Sequence, residues 1–235
     1  MVSNAQRPPG RFEALFQLIP SQTRVFADIG YDHGKMLTRI VTAYPNVSAI
    51  GVELQPEAAD RFWKADAPGL PEERSRIELR TGDGLLPLQP GEADTLLIAG
   101  VGEMTTNRIL EEGSDHLKGT KHLVCMPSHS VVHLRYIFKH YGYITTDECI
   151  AYERKRYYLA VRAEKASRPF EPQGWKWRYA PLLFERKDPL LFAYLKQVKT
   201  YFRDRIQFAD RQPEAMREYC LGIDRAIEEA RKFAG

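Results

Sequence analysis

Phe26-Ala27-Asp28-Ile29-Gly30-Tyr31-Asp32-His33-Gly34 joins an apolar run starting at Val25 to a segment, Lys35 to Tyr44, with apolar residues at Met36, Leu37, Ile40 and Val41. The run reads as a buried strand and the segment as an amphipathic helix. Strand, glycine turn and helix in that order make a place where nucleotide-like ligands sit. Gly30 and Gly34 let the backbone bend tightly and let a ligand approach the main chain. Asp28, at the strand end, is placed to order the loop or to bind a ligand amine or hydroxyl.

The motif reads D-x-G-x-D-H-G, not the dinucleotide G-x-G-x-x-G. A pyrophosphate cradle needs backbone N–H groups and no negative side chain. Asp28 and Asp32 so close together disfavour a phosphate and suit a ligand with positive charge or many donors. S-adenosylmethionine offers a sulfonium, an ammonium, a ribose diol and an adenine amine. An ordinary glycine-rich strand–helix turn is the plainer alternative.

Two further acids weigh against that alternative. The next strand, Val47 to Val52, ends at Glu53, with Leu54 after it. Its spacing matches the acid that holds a ribose diol in Rossmann-like units, about 20 residues on. A third strand, Ile77 to Arg80, runs into Gly82-Asp83-Gly84, where an aspartate between glycines is able to accept from an adenine amine. Ligands of open α/β sheets bind at the carboxyl ends of strands, and here three successive strands end in acids.

The 235 residues suffice for one large domain, or a domain with an appendage, and the 43% hydrophobic content suffices for a core. No apolar run approaches the roughly 20 residues of a membrane helix, so no membrane partner is expected. Met1 to Arg11 is polar and Pro-rich and lacks the apolar region of a secretory signal. Cys125, Cys149 and Cys220 show no zinc spacing, and they read as reduced thiols in a cytoplasmic protein. His129 and His133 are four apart at a helix start, but no third ligand is evident and no metal is expected. The net charge is +3 overall; residues 165–235 carry fifteen Lys/Arg and ten Asp/Glu, so the positive charge sits in the C-terminal third. A polyanion favours that distribution, and a solvated helical surface is the alternative.

After a short amphipathic helix around Phe12 to Ile19, strands and helices alternate. Strands are expected at Val25–Ile29, Ser48–Val52, Ile77–Arg80, Thr95–Ala99 and Leu123–Met126, and helices at Lys35–Tyr44, Pro56–Ala65, Thr105–Glu112 and Val131–Tyr141. Such alternation gives βαβ units and a parallel sheet covered on both faces. Ile144–Tyr152 and Tyr157–Arg162 flank Glu153-Arg154-Lys155-Arg156 and read as a hairpin. A Pro-containing linker with Pro169 and Pro172 follows, then Trp175 and Trp177, read as docking anchors rather than base-stacking platforms. Two helical runs close the chain. Leu191, Leu195, Val198, Phe202 and Ala209 line a seam in the first, broken by Arg205; Tyr219, Ile223, Ala226, Ala230 and Phe233 line the second, and Pro213 suits its first turn. Stripes this narrow suit a two-helix coiled coil that projects from the rest better than a globular core.

These residues resemble the bacterial tRNA (adenine(22)-N1)-methyltransferase family, from about Arg11 to the C-terminus. Ala27-Asp28-Ile29-Gly30-Tyr31-Asp32-His33 carries the most specific likeness. Gly82-Asp83-Gly84-Leu85 is similar to the family's G-D-G-L, Ile98-Ala99-Gly100-Val101-Gly102 to its I-A-G-M-G-G, and Ala180-Pro181-Leu182-Leu183 with the helical pair to its tail. The chain departs from the family at Val101, at Glu103, where a glycine is usual, and at Met126-Pro127-Ser128, where Q-P-N is usual. Those loops line the mouth for the target base, which marks a divergent member.

The resemblance implies an α/β class I methyltransferase sheet of order 3-2-1-4-5-7-6 with a C-terminal coiled-coil hairpin. Residues 1–164 would bind S-adenosylmethionine and residues 165–235 would form the helical extension. The cofactor set would be Asp28, Gly30, Gly34, Glu53, Leu54, Gly82, Asp83, Gly84, Ala99 and Gly100. Methyl transfer to adenine N1 in tRNA leaves a cationic ring, so a carboxylate near it would stabilise charge or take the N6 proton. Asp32 is the candidate, with helix capping as its alternative. His33 and Glu103 complete the catalytic candidates, each with a surface alternative. Lys196, Lys199 and Arg203 are the candidates for tRNA phosphates. Charged hairpin tips such as Arg154-Lys155-Arg156 are ordinarily just solvated and carry no weight here. Three other functions stay open: a methyltransferase for a small molecule, protein or other RNA; a non-catalytic RNA-binding homologue; and, more distantly, an NAD-linked oxidoreductase. Oligomeric state is not legible.

Overall fold

The βα alternation builds a seven-stranded sheet in the computed structural model, which describes residues 8–129, 131, 133–168, 171, 174–206 and 214–234. β1 (Val25–Ile29), β2 (Ser48–Glu53), β3 (Ile77–Thr81), β4 (Thr95–Ala99) and β5 (His122–Met126) run parallel. β6 (Tyr143–Glu153) and β7 (Arg156–Lys165) form an antiparallel hairpin, and β7 pairs with β5. The order is β3-β2-β1-β4-β5-β7-β6, as expected.

The central strands are apolar on both sides because helices cover both faces. Alternate residues divide between two cores. Ala27, Ile29, Leu96, Ile98, Leu123 and Cys125 face one, and Phe26, Leu97 and Val124 face the other. α1 (Arg11–Leu18) and α2 (Lys35–Ala43) pack on the second face through Leu15, Leu18, Leu37 and Ile40.

α3 (Glu57–Arg61) follows β2 and is shorter than its pattern suggests, because Phe62–Asp66 winds as a π-helical turn. Phe62 lies against Gly34, where an added Cβ would stand 2.4 Å from its ring, and it also packs edge-on to Tyr31 and Trp63. α4 (Pro71–Arg74) is a single turn. α5 (Glu103–Glu112) starts two residues before its expected position, with Gly102 as N-cap. α6 (Leu134–His140) starts three residues later than expected.

The C-terminal segment forms a 3-10 turn at Trp175–Tyr179, then α7 (Pro181–Glu185), α8 (Leu191–Ile206) and α9 (Glu214–Arg231). Leu191, Leu195, Val198 and Phe202 meet Tyr219, Ile223, Ala226 and Ala230, as the seam suggested. Ala209, Pro213, Pro169 and Pro172 lie outside the described residues, as does the side chain of Arg205. The described part of the pair does not stand apart. Tyr179, Tyr194 and Tyr219 are buried and widen the seam into the core on the sheet. Gly222 lets α9 come close: a Cβ there would stand 2.1 Å from the Tyr179 hydroxyl, which donates to the Tyr219 carbonyl at 2.7 Å. Trp175 packs on Phe184 and Trp177 on Tyr136, both as docking contacts. The Gln197 amide bonds the Tyr157 backbone twice, accepting from N–H and donating to C=O, both at 2.8 Å, and so ties α8 to the hairpin. Among the described residues no helix is long and apolar enough to cross a membrane.

Candidate cofactor and acceptor site

The carboxyl ends of β1, β2 and β3 bring Asp28, Glu53 and Asp83 to one edge of the sheet. Asp28 is buried, and burial, with the Glu53 charge second, pushes its carboxyl up to about 7. A carboxylate held that way needs a cation or several donors beside it. Glu53 accepts the backbone N–H of Leu54 at 2.9 Å and that of Asp32 at 3.4 Å, so it shapes the Gly30–Gly34 turn. The Leu54 side chain is exposed beside it.

Gly30 and Gly34 have φ of 79° and 63°, and Asp32, at 47°, shares the left-handed region. Gly34 is the N-cap of α2 and no side chain caps that helix. Asp32 lies two residues before that cap position, and a helix start of this kind can take a carboxylate on its first N–H groups. The Asp32 carboxylate is exposed, with His33 Nε2 3.8 Å away.

Asp83 sits in its Gly82–Gly84 turn, and each of its oxygens already accepts one bond. Arg108 of α5 donates to them at 2.9 and 3.3 Å and holds the carboxyl below the usual range. Arg108 had no signal in the sequence, because its partner lies 25 residues away. Ala99 ends β4 and Gly100 follows it, and Gly100 N–H donates to the Met126 carbonyl at 3.1 Å. Ser128 N–H donates to the Val101 carbonyl at 2.9 Å, so the two divergent loops brace each other.

Glu103 opens α5 at this mouth, with its side chain only 11% exposed. It accepts from His133 N–H at 3.0 Å and pairs with His133 Nδ1 at 2.8 Å. It therefore fastens the β5–α6 loop rather than facing open space. His129 Nδ1 lies 2.8 Å from Ser128 Oγ, and its ring packs on Tyr201 of α8. Among the described residues no group of three or more His, Cys, Asp or Glu is arranged to hold a metal ion.

The three basic candidates lie on α8, and all three are exposed. The Lys196 ammonium sits 5.3 Å from the centre of the Phe192 ring. Lys199 pairs with Asp224 of α9, which partly neutralises it.

Residues 9–161 match the family model described as Methyltransferase domain. Over 166 residues the chain is 32% identical to the tRNA (adenine(22)-N(1))-methyltransferase of Bacillus subtilis (strain 168), covering 67% of this chain and 65% of that protein, just under two thirds of its length. Among solved structures, the tRNA methyltransferase TrmK of B. subtilis superposes with a TM-score of 0.72 at 24% identity, covering 97% of this chain and 99% of that one. M. capricolum TrmK in complex with S-adenosyl-homocysteine superposes at 0.67 and 20%, covering 95% and 96%. At these identities the structures establish a shared fold. The family model spans well over half of the sequence and all seven strands but the end of β7, and the chain belongs to the methyltransferase domain family.

Proposed function

We propose that this protein transfers a methyl group from S-adenosylmethionine to N1 of an adenine in tRNA, in the cytoplasm. The observation that carries the reading is the trio Asp28, Glu53 and Asp83 at three adjacent strand ends, set around the uncapped start of α2. The donor set fits the cofactor. The buried Asp28 carboxyl suits a cationic or donor-rich group, Glu53 a ribose diol, Asp83 an adenine amine shared with Arg108, and the α2 N–H groups a carboxylate. Gly30, Gly34, Leu54, Gly82, Gly84, Ala99 and Gly100 would line the same site. The name of the B. subtilis relative supports the acceptor.

When bound, the cofactor supplies an electrophilic methyl group. The chain's own residues orient the acceptor base, and positioning of that kind accounts for about 7–11 kcal/mol of a barrier. The exposed Asp32 carboxylate offsets the positive charge that develops on the ring or accepts the N6 proton, with His33 beside it. Glu103 contributes through the loop it fastens. Residues 1–164 bind the cofactor, and the 165–235 extension holds tRNA phosphates through Lys196, Lys199 and Arg203.

The altered acceptor loops favour one second reading, a methyltransferase of the same cofactor acting on another RNA, a small molecule or a protein. One experiment separates them. The protein is incubated with methyl-labelled S-adenosylmethionine and unmodified total tRNA, and the tRNA is digested to nucleosides. Label in 1-methyladenosine is expected; label in no tRNA nucleoside overturns the proposal.

A further inference from the structure

Register places the β6–β7 hairpin tip above the same sheet edge as the cofactor-site acids. β5 ends at Met126, and its last recorded partner on β7 is Val161, opposite Cys125. β7 begins at Arg156, so its first residues overhang the carboxyl end of β5 by about 13 Å. The turn at this tip carries Arg154 and Lys155, with φ of 49° and 62°, and all of Arg154, Lys155 and Arg156 are exposed. None of the three has an ion-pair partner among the described residues.

Arg11 joins this tip from the start of α1. Its guanidinium stacks on Tyr158 of β7, 4.8 Å from the ring centre, and one nitrogen stands 3.8 Å from where a Cβ on Gly100 would be. Gly100 is the first residue after β4, so Arg11 lies at the acceptor side of the edge. Its Nε is buried without a hydrogen-bond partner, and no acid pairs with its guanidinium among the described residues. The nearby Glu153 carboxylate accepts the backbone N–H of Arg11 at 3.3 Å and makes no ion pair with its guanidinium. Arg156 approaches the same Tyr158 ring at 5.9 Å.

We propose that Arg11 and the Arg154–Arg156 tip form an RNA-binding clamp at the mouth of the acceptor site, gripping the nucleotides that flank the target base. This rests on the reading of the protein as a tRNA methyltransferase and adds to it a second contact, separate from the helical extension. Uncompensated guanidinium and ammonium groups beside the exposed Tyr152 ring and the half-buried Tyr157 and Tyr158 rings fit a phosphate backbone with unstacked bases. An acid-rich protein surface would use the charge but not the rings.

The test uses the full chain and total tRNA. Arg154→Asn with Lys155→Gly keeps a left-handed turn while removing charge, so the hairpin still forms. Arg156→Gln is added, and Arg11→Gln is made separately. Filter binding over a salt series is expected to show the slope of log affinity against log salt falling by roughly two to three for the tip variant and about one for Arg11→Gln. The tRNA KM is expected to rise about tenfold with kcat and cofactor affinity near wild type. A wild-type salt slope in both variants overturns the clamp, as does a wild-type protein that binds no tRNA. Because the slope is read without turnover, wild-type protein that binds tRNA but leaves it unlabelled counts against the proposed reaction, not against the clamp.

Discussion

Glu103 grips His133 twice, through the backbone N–H at 3.0 Å and through Nδ1 at 2.8 Å, across 30 residues of sequence. The pair closes the β4–α5 turn onto the loop before α6. Glu103→Ala leaves two half-buried groups of His133 without their acceptor, and each such loss costs about 1–3 kcal/mol. For a domain of this size a fall in Tm of at least about 4 °C is expected, with a smaller fall for Glu103→Gln, which keeps an acceptor oxygen. Thermal melts of the two variants check it; equal melts would show that the pair contributes nothing.

Asp28 makes the ligand-free protein sensitive to pH. An unfolded aspartate titrates near 3.8 and the folded one at about 7, so between these values the folded state keeps a proton that the unfolded state has lost. Stability therefore falls as pH rises from about 4 to about 7, and flattens above and below, by an amount on the order of a few kcal/mol. Asp28→Asn is expected to remove that slope in denaturant melts taken across the range. A cationic ligand favours the ionised form, so cofactor affinity measured by calorimetry should rise over the same interval in the wild type and stay level in the variant.

Glu53→Ala and Asp83→Ala are each expected to weaken S-adenosylmethionine binding by about 1–3 kcal/mol, the worth of a hydrogen bond to a charged acceptor. Calorimetry with unchanged affinity in both would remove these acids from the cofactor site.

Asp32→Asn keeps the size of the side chain and loses its charge. Turnover on tRNA is expected to fall by at least about tenfold, equivalent to 1.36 kcal/mol of barrier, with cofactor affinity near wild type. Equal activity across pH 6–9 would give Asp32 a structural role only.

On α8, Lys196→Ala is expected to lower the salt slope for tRNA by about one and Lys199→Ala by less, because Asp224 already pairs with Lys199. Equal effects of the two would mean that the Asp224 pair opens when RNA binds.

The strands were legible because each is a short apolar run ending in a turn signal, and the acids were legible because chain order alone puts them at strand ends. Helix α3 differs at its end: the period of Phe62–Asp66 fits an α-helix, whereas the segment winds as a π turn with the Phe62 ring against Gly34, a contact that spacing alone does not show. The helical pair was legible as a seam, but its attachment was not, since Tyr179 reaches α9 from 40 residues away. Separations of 25 and 30 residues likewise hid Arg108 from Asp83 and His133 from Glu103. Arg11 gave no signal at all, because its neighbours Tyr158 and Gly100 are set by the sheet and not by spacing.

The Gln197 amide has a consequence for how the protein behaves in company. Where β7 outruns β5, the N–H and C=O of Tyr157 face a position that no strand fills, and the side chain of Gln197 occupies it with both bonds at 2.8 Å. An uncovered pair of this kind is a template on which a second chain can lay a strand. One glutamine thus guards the sheet against edge-to-edge self-association, and a chain carrying leucine at that position would leave the two Tyr157 groups open at the carboxyl edge of the sheet.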